Sequence, residues 1–150
     1  MKIKLAVSRE RYAEVERLLT QRGITVDADG DFVLTENNRY PDRLMVRDGD
    51  SGERVVLPVE DIVLIEAFGH SLSVRTLGKS YGVSQRLYKI LGMLEPEKFL
   101  RISNSVVIAK DKVTSISPTF SMKFVLTMAN GQKVDVTRSY YYLFKESFGI

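Results

Sequence analysis

The chain has 150 residues, of which 44% are hydrophobic and 27% are charged, and these proportions are ordinary for a compact folded protein. It has no cysteine and one histidine, which excludes disulfides, thiolate chemistry and multi-histidine metal sites. The 22 lysines and arginines outnumber the 19 acidic residues, giving a formal net charge of +3. Because the sequence contains neither an apolar run of roughly 18 residues nor the apolar core of a signal peptide, we expect a cytoplasmic protein.

The charge is distributed unevenly along the chain. Residues 1–58 carry 10 basic and 11 acidic side chains, whereas residues 59–150 carry 12 basic and 8 acidic ones. The second region is therefore the expected polyanion-binding part. A stretch rich in turn-forming residues extends from Asn37-Asn38 to Gly52, so we place a domain boundary near Pro58. It divides the chain into residues 1–57 and 58–150.

The first unit is predicted to form a strand, a helix and two further strands. The strand has an alternating apolar face formed by Ile3, Leu5 and Val7. The helix is predicted to begin after the capping residue Ser8 and to run to about Arg22, where Gly23 ends it. Its apolar face consists of Tyr12, Val15, Leu18 and Leu19. The two short strands flank Asp29-Gly30, a pair typical of a hairpin turn, and a unit of fewer than 60 residues is a marginal fold by itself.

The second unit is predicted to be mostly strand, so the fold class is mainly β with short helices (α+β). Period-2 alternation on both sides of Gly69-His70 predicts a hairpin. Asn130-Gly131 between two apolar runs predicts another. The remaining strands are predicted at residues 99–102, 106–108 and 113–116.

Two helices are expected within this unit. The first is predicted to be capped by Ser84, to end before Pro96 and to have an apolar stripe of Val83, Leu87, Ile90, Leu91 and Leu94. The second is predicted to be capped by Ser139 and to bury Tyr140, Leu143, Phe144 and Phe148. Residues 79–84 are similar to the turn of a helix-turn-helix motif. Because residues 71–76 alternate with period 2, they cannot supply its first helix, and an ordinary packing helix is the better interpretation.

Catalytic and nucleotide-binding motifs are absent from the sequence. No nucleophile elbow accompanies His70, and no glycine-rich phosphate-binding loop occurs. The aspartates at 27–31 and 48–50 fit turn geometry, and the first run lacks the downstream glutamate of a calcium loop. We therefore expect no enzymatic activity, no cofactor, no metal ion and no small-molecule substrate.

Polar residues interrupt the predicted strands of the second unit at three loops. His70 lies in a hairpin turn, Asn104 lies between two strands, and Arg138 follows the last strand. Asparagine can pair with adenine, arginine with guanine, and a histidine nitrogen can contact a base or a phosphate. Structural roles remain open, since His70 could merely tolerate the turn, Asn104 could cap a backbone turn and Arg138 could pair with a carboxylate.

The order of these features resembles the LytTR DNA-binding domain of bacterial transcription regulators. The resemblance covers about residues 58–150 and rests on the motifs Asp61–His70, Tyr81 with the Leu87–Leu94 helix, Phe99–Ile108, Asn130-Gly131 and Val136-Thr137-Arg138. It implies an elongated β-sheet fold whose loops enter successive major grooves of double-stranded DNA. It also implies base contacts by His70, Asn104 and Arg138 and recognition of imperfect direct repeats in promoters.

Basic and hydroxyl side chains elsewhere in this unit are the expected DNA-backbone contacts, namely Arg75, Lys79, Arg101, Ser103, Ser105, Lys110, Lys112 and Lys123. The sequence departs from the family pattern at Ala109, where the family usually has asparagine. Because the strand before it and the Lys110–Lys112 segment after it are present, we expect a changed local turn there and retained binding.

The first unit is too short for a phosphoacceptor receiver domain, so we do not expect control by aspartyl phosphorylation within it. It is expected to support a homodimer, at least on DNA, or to dock a regulatory partner, and the resemblance allows that partner to be a membrane-bound protein. The sequence thus predicts a sequence-specific DNA-binding transcription regulator. The alternative is a non-catalytic interaction or sensor module whose basic face binds an acidic protein or ligand.

Overall fold

The computed structural model describes residues 1–36 and 40–150, and the turn predicted at Asn37-Asn38 lies outside the described residues. Its strands are β1 Lys2–Ala6, β2 Thr25–Val26, β3 Phe32–Thr35, β4 Arg43–Asp48, β5 Arg54–Pro58, β6 Leu64–Phe68, β7 Ser71–Arg75, β8 Ser80–Val83, β9 Phe99–Arg101, β10 Val106–Ala109, β11 Val113–Pro118, β12 Phe124–Met128 and β13 Lys133–Val136. Its α-helices are α1 Arg9–Gln21, α2 Leu87–Met93 and α3 Tyr141–Phe148. The predicted fold class, mainly β with short helices, is confirmed. Among the described residues, no helix is long and apolar enough to cross a membrane.

The chain divides into two compact units, Met1–Arg39 and Tyr40–Ile150. This division corrects the boundary that was expected near Pro58. Strands β4 and β5 precede that boundary, yet they belong to the same seven-stranded sheet as β6. The turn-forming residues after Asp48 connect β4 to β5, because their glycines and aspartates close a hairpin within the second unit.

The first unit contains a three-stranded sheet with the order β2-β1-β3, in which both outer strands run parallel to β1. The hairpin predicted around Asp29-Gly30 is therefore wrong, since β2 and β3 do not pair with each other. The chain instead crosses β1 at Gly30, where an added Cβ would lie 2.5 Å from the carbonyl carbon of Ile3. Glycine is needed there for close backbone approach rather than for a tight turn.

Helix α1 lies close to the range that the sequence predicted. The side chain of Ser8 makes no capping hydrogen bond, and its backbone N–H donates to the carboxylate of Glu36. Gly23 has a φ of +76°, which ends the helix in the left-handed region. Of the described hydrophobic residues of this unit, only Ile3 and Leu5 are buried. The predicted apolar face of α1 is half-buried at Val15 and Leu19 and exposed at Tyr12 and Leu18.

The second unit contains two antiparallel sheets. The larger has the order β5-β4-β8-β7-β6-β10-β9, and the smaller has the order β11-β12-β13. Both predicted hairpins are confirmed, because β6 pairs with β7 and β12 pairs with β13. Gly69 and Gly131 adopt φ values of +60° and +85°, the left-handed conformation that such tight turns require.

Two hydrophobic clusters form the core of this unit. The first contains residues of β4 to β8 and α2, including Ile65, Val74 and Ile90. The second joins β6 and β10 to the smaller sheet and α3, and it includes Leu64 and Phe144. Because successive side chains of a strand point to opposite faces, β6 contributes to both clusters, so both of its faces are covered.

Both helices of the second unit begin later than predicted. Ser84 is not the cap of α2, because residues 80–83 pair with β7 as the strand β8, and Val83 packs into the core from that strand. The same pairing excludes the helix-turn-helix interpretation. Ser139 is not the cap of α3 either, since it lies in a 3-10 turn, Arg138–Tyr140. Phe144 is buried as predicted, whereas Leu143 is exposed.

Candidate nucleic-acid interface

The three loops singled out in the sequence lie at the same end of the second unit. The N–H of Ala67, which precedes the His70 turn, donates to the carbonyl of Ser105 with a distance of 2.7 Å. The N–H of Thr137 donates to the carbonyl of Ile102 with a distance of 3.0 Å. These two bonds join the β6–β7 turn, the β9–β10 loop and the end of β13. We call the surface formed by residues 69–70, 102–105 and 137–138 the loop end.

Hydrogen bonds within the loop end hold Asn104 in place. The Arg101 guanidinium donates to the carbonyl oxygens of Ser103 and Asn104, at 3.0 and 2.6 Å. The Tyr140 hydroxyl donates to Asn104 Oδ1 at 3.3 Å, and its ring centroid lies 5.9 Å from the Arg101 guanidinium carbon. The Asn104 side chain is otherwise exposed, with its Nδ2 donors available for a ligand.

The two serines beside Asn104 have different environments. Ser103 is buried, and its Oγ accepts a hydrogen bond from the N–H of Ser105 at 3.2 Å. Ser103 thus makes the side-chain hydrogen bond to the turn backbone that was considered above for Asn104. Ser105 is half-buried, and its Oγ lies 3.5 Å from that of Ser103. Their hydroxyls stabilise the loop, and contact with a phosphate stays a prediction for both.

His70 and Arg138 are both exposed at the loop end. Gly69 turns the chain so that His70 projects beyond the sheet, and Arg138 begins the 3-10 turn after β13. Within the part of the chain that the structure describes, no ion pair involves Arg138, so the alternative of a carboxylate partner is not observed. A free guanidinium at this position can accept a planar, bidentate partner.

One of the expected backbone contacts, Lys79, lies at the opposite end of the sheet. This end, which we call the turn end, is formed by the connections 49–53 and 76–79, and the N–H of Gly49 donates to the carbonyl of Ser80 across it. The Lys79 ammonium forms an ion pair with Asp48. The hydrogen bond from Lys79 holds the pKa of Asp48 at about 2, and the same bond raises the pKa of Lys79.

Arg75 and the lysines after β10 are also away from the loop end. Arg75 forms an ion pair with Glu66 at 3.6 Å. Lys110 donates to the carbonyl of Ser147 at 3.1 Å, and Lys112 shares its 3-10 turn. These turn residues follow Ala109, the last residue of β10, and β10 runs away from the loop end. The altered turn expected at Ala109 stays a prediction, and its side chain is buried in the first cluster.

Lys123 is the remaining basic residue of the predicted set, and it lies beside the loop end. It precedes β12, whose first residue, Phe124, pairs with Val136 at the end of β13. Arg138 is thus a cation of the loop end itself, and Arg101 and Lys123 lie beside it, with Arg101 hydrogen-bonded to its own loop.

Tyr140 was missed as a site residue, because its place in an apolar helix pattern favoured a core role. The signal that could have identified it is its position two residues after Arg138, since a polar tip on an aromatic ring can reach a neighbouring loop.

Among the described residues there is no cluster of histidine, aspartate and glutamate that could hold a metal ion. The loop end is a surface of exposed hydrogen-bond donors and acceptors at one end of a β-rich unit.

Comparisons with known proteins identify the family to which this chain belongs. The model of the LytTr DNA-binding domain family matches residues 52–149. The chain belongs to the LytTR family of DNA-binding domains, and the resemblance seen in the sequence is confirmed.

Similar proteins agree with this assignment. The chain is 30% identical over 112 residues to the sensory transduction protein LytT of Bacillus subtilis, covering 73% of this chain and 46% of that protein. It is 32% identical over 90 residues to LytR of Streptococcus agalactiae, covering 60% of this chain and 37% of that protein. The chain thus spans less than half of these relatives. The LytTr DNA-binding domain of a Bacillus cereus response regulator has the same fold, with a TM-score of 0.68, 21% identity, and coverage of 73% of this chain and 99% of that domain.

Proposed function

We propose that this protein is a cytoplasmic, sequence-specific transcription regulator whose loop end enters the major grooves of double-stranded DNA. The observation that supports the proposal is the placement of His70, Asn104 and Arg138 on three joined loops with exposed side chains. Their chemistry matches base recognition, since asparagine pairs with adenine and arginine with guanine. Arg101 and Tyr140 hold the asparagine loop in one conformation, which reduces the entropy lost on binding.

We further propose that two protomers bind adjacent direct repeats in a promoter. A second protomer on the next repeat raises the affinity through effective concentration. We assign this pairing to the first unit, because Ile3 and Leu5 are the only buried hydrophobic residues among its described residues. A unit with so small a core gains stability from a partner. A membrane-bound regulatory protein is the other partner that this unit could dock.

The test is selection of bound duplexes from a random DNA pool at near-physiological salt, followed by sequencing. We expect enrichment of a motif repeated at about one helical turn, since two protomers would then lie on the same side of the duplex. A variant with His70→Ala, Asn104→Ala and Arg138→Ala together is the matched control, and it should bind bulk DNA without enriching a motif. If the native chain enriches nothing, sequence-specific recognition is wrong and the basic interaction module is favoured.

A further inference from the structure

The tip of the β11–β12 hairpin lies beside the loop end. Strand β13 ends at Val136, which pairs with Phe124, and the next residue, Thr137, is bonded to the β9–β10 loop. Residues 119–123 therefore project from the same end of the smaller sheet as Arg138. Because β12 lies between β11 and β13, the hairpin tip is on the side of Arg138 away from Asn104. The order along this end is thus His70, Asn104, Arg138 and then the tip.

The tip presents one apolar side chain to the exterior. Phe120 has 112% of its reference accessible surface, the largest exposure among the exposed large hydrophobic residues described. The turn beneath it is closed by Thr119, whose N–H and hydroxyl both donate to the carbonyl of Lys123, at 2.9 and 3.1 Å. Met122 adopts a φ of +57°, a conformation that disfavours residues with a side chain. A fixed turn therefore holds Phe120 away from the core.

Phe124, at the start of β12 in the same hairpin, is an aromatic residue with a structural role and can be compared with Phe120. Phe124 is buried and stacks on Tyr141 with ring centroids 5.0 Å apart. Phe120, four residues earlier, has no ring contact of this kind among the described residues. Its exposure exceeds what core packing requires, so packing does not account for a phenylalanine at this position.

The electrostatics of the hairpin favour a polyanion as the partner. Residues 113–128, which form this hairpin, contain Lys123 and no acidic residue. A phenyl ring cannot hydrogen-bond to a phosphate, whereas apolar side chains at a DNA surface insert between base steps of the minor groove and kink the duplex. A lysine three residues away can contact the phosphates that flank such a step.

We propose that Phe120 inserts between two base pairs in the minor groove next to the major groove contacted by Arg138, and bends the DNA there. This inference rests on the proposed function, because it requires the loop end to face DNA. The wedge adds contact area and places a flexible pyrimidine–purine step at a fixed distance from the motif. It thereby adds a shape preference to the base contacts of the three loops.

The experiment measures DNA bending and affinity of the full chain on its selected site. Energy transfer between dyes at the two duplex ends reports the bend, and titration at fixed salt gives Kd. Phe120→Ala should abolish most of the bend and weaken binding roughly tenfold, whereas Phe120→Leu should keep both because leucine is also an effective wedge. Leu77→Ala is the matched control, since Leu77 is also exposed in a hairpin connection but lies at the turn end.

The outcomes separate this inference from the proposed function. An unchanged bend with Phe120→Ala on a site that the native chain selects overturns the wedge and leaves the proposed function intact. A weaker Kd with an unchanged bend also overturns the wedge, since it indicates a surface contact without insertion. If the native chain selects no site, both proposals are wrong. Because Phe120 is fully exposed, its replacement should not unfold the protein, which circular dichroism would verify.

Discussion

The two ends of the second unit use charged residues in opposite ways. At the turn end, the Lys79 ammonium is bound to Asp48, and nearby Arg75 is bound to Glu66. At the loop end, Arg138 is exposed and has no ion-pair partner among the described residues. A cation that already has a carboxylate must lose that partner before it can bind a phosphate or a base. This difference supports the proposal that DNA binds at the loop end, because Arg138 can bind a ligand there without first losing a carboxylate partner.

Each end is also fixed by side-chain hydrogen bonds, and these bonds have different consequences at the two ends. Asp48 accepts hydrogen bonds from the N–H groups of Asp50 and Ser51 at 2.8 and 3.2 Å, so it fixes the β4–β5 turn. Tyr140 bonds to the side-chain oxygen of Asn104, so it fixes a group that faces the exterior. We therefore expect loss of the Asp48 hydrogen bonds to change the stability of the fold, and loss of the Tyr140 hydrogen bond to change base discrimination.

The largest expected effect comes from replacing Arg138. Arg138→Ala should remove about 1–3 kcal/mol of discrimination at one base pair, because a bidentate contact to guanine is lost. Lys79→Ala is the matched control at the turn end and should leave discrimination unchanged. Competition between the selected duplex and duplexes with single base-pair substitutions measures both variants.

Arg138→Lys tests whether charge alone explains that loss. Lysine keeps the charge but lacks the planar fork of arginine, so it should restore bulk DNA affinity without restoring the base preference. If Arg138→Ala keeps full base discrimination, or if Lys79→Ala loses as much discrimination as Arg138→Ala, then the loop end is not the surface that distinguishes bases.

A smaller effect is expected from Tyr140→Phe, which deletes the hydroxyl that bonds to Asn104. The side-chain amide can then rotate, so discrimination should fall a few-fold at the base pair that Asn104 contacts, consistent with loss of one hydrogen bond of about 1 kcal/mol. The base pair contacted by Arg138 should be unaffected. The same competition assay, with one substituted duplex for each position, measures this.

A double variant separates positioning from packing. If Tyr140 acts through Asn104, then Tyr140→Phe should add nothing to the loss caused by Asn104→Ala. Additive losses at every base pair would instead indicate a general structural role for Tyr140.

Much of the second unit could be predicted from its sequence, because its turns are specified locally. Gly69-His70 and Asn130-Gly131 mark two hairpins whose glycines adopt the left-handed conformation. The same rule failed at Asp29-Gly30, where the strands on either side pair with β1 instead of each other. A dipeptide indicates where the chain turns, but the strand partners depend on contacts distant in sequence.

The errors at the helix starts have the same origin. Ser84 is a good capping residue, yet pairing of β8 with β7 keeps the preceding residues extended. The site was more predictable in its residues than in their partners. The polarity of the loops indicated Asn104 and Arg138. The hydrogen bond from Tyr140 to Asn104 and the ion pair of Lys79 with Asp48 could not be predicted, because each joins residues more than 30 positions apart in the sequence.

The smallest expected effect is on stability at the turn end. Asp48→Asn removes the ion pair with Lys79, so the variant should unfold at a lower temperature than the native chain at neutral pH. The pKa of Asp48 is about 2 in the folded chain against an ordinary value of 3.8, so its charge stabilises the fold above pH 3.8. That contribution is lost as pH falls from 3.8 towards about 2, where both states become protonated. Thermal unfolding of both proteins across this range should therefore show a difference that shrinks on acidification, and DNA discrimination at neutral pH should be the same for both. A stability difference that persists unchanged at pH 2 would mean that Asp48 acts through the geometry of the turn rather than through its charge.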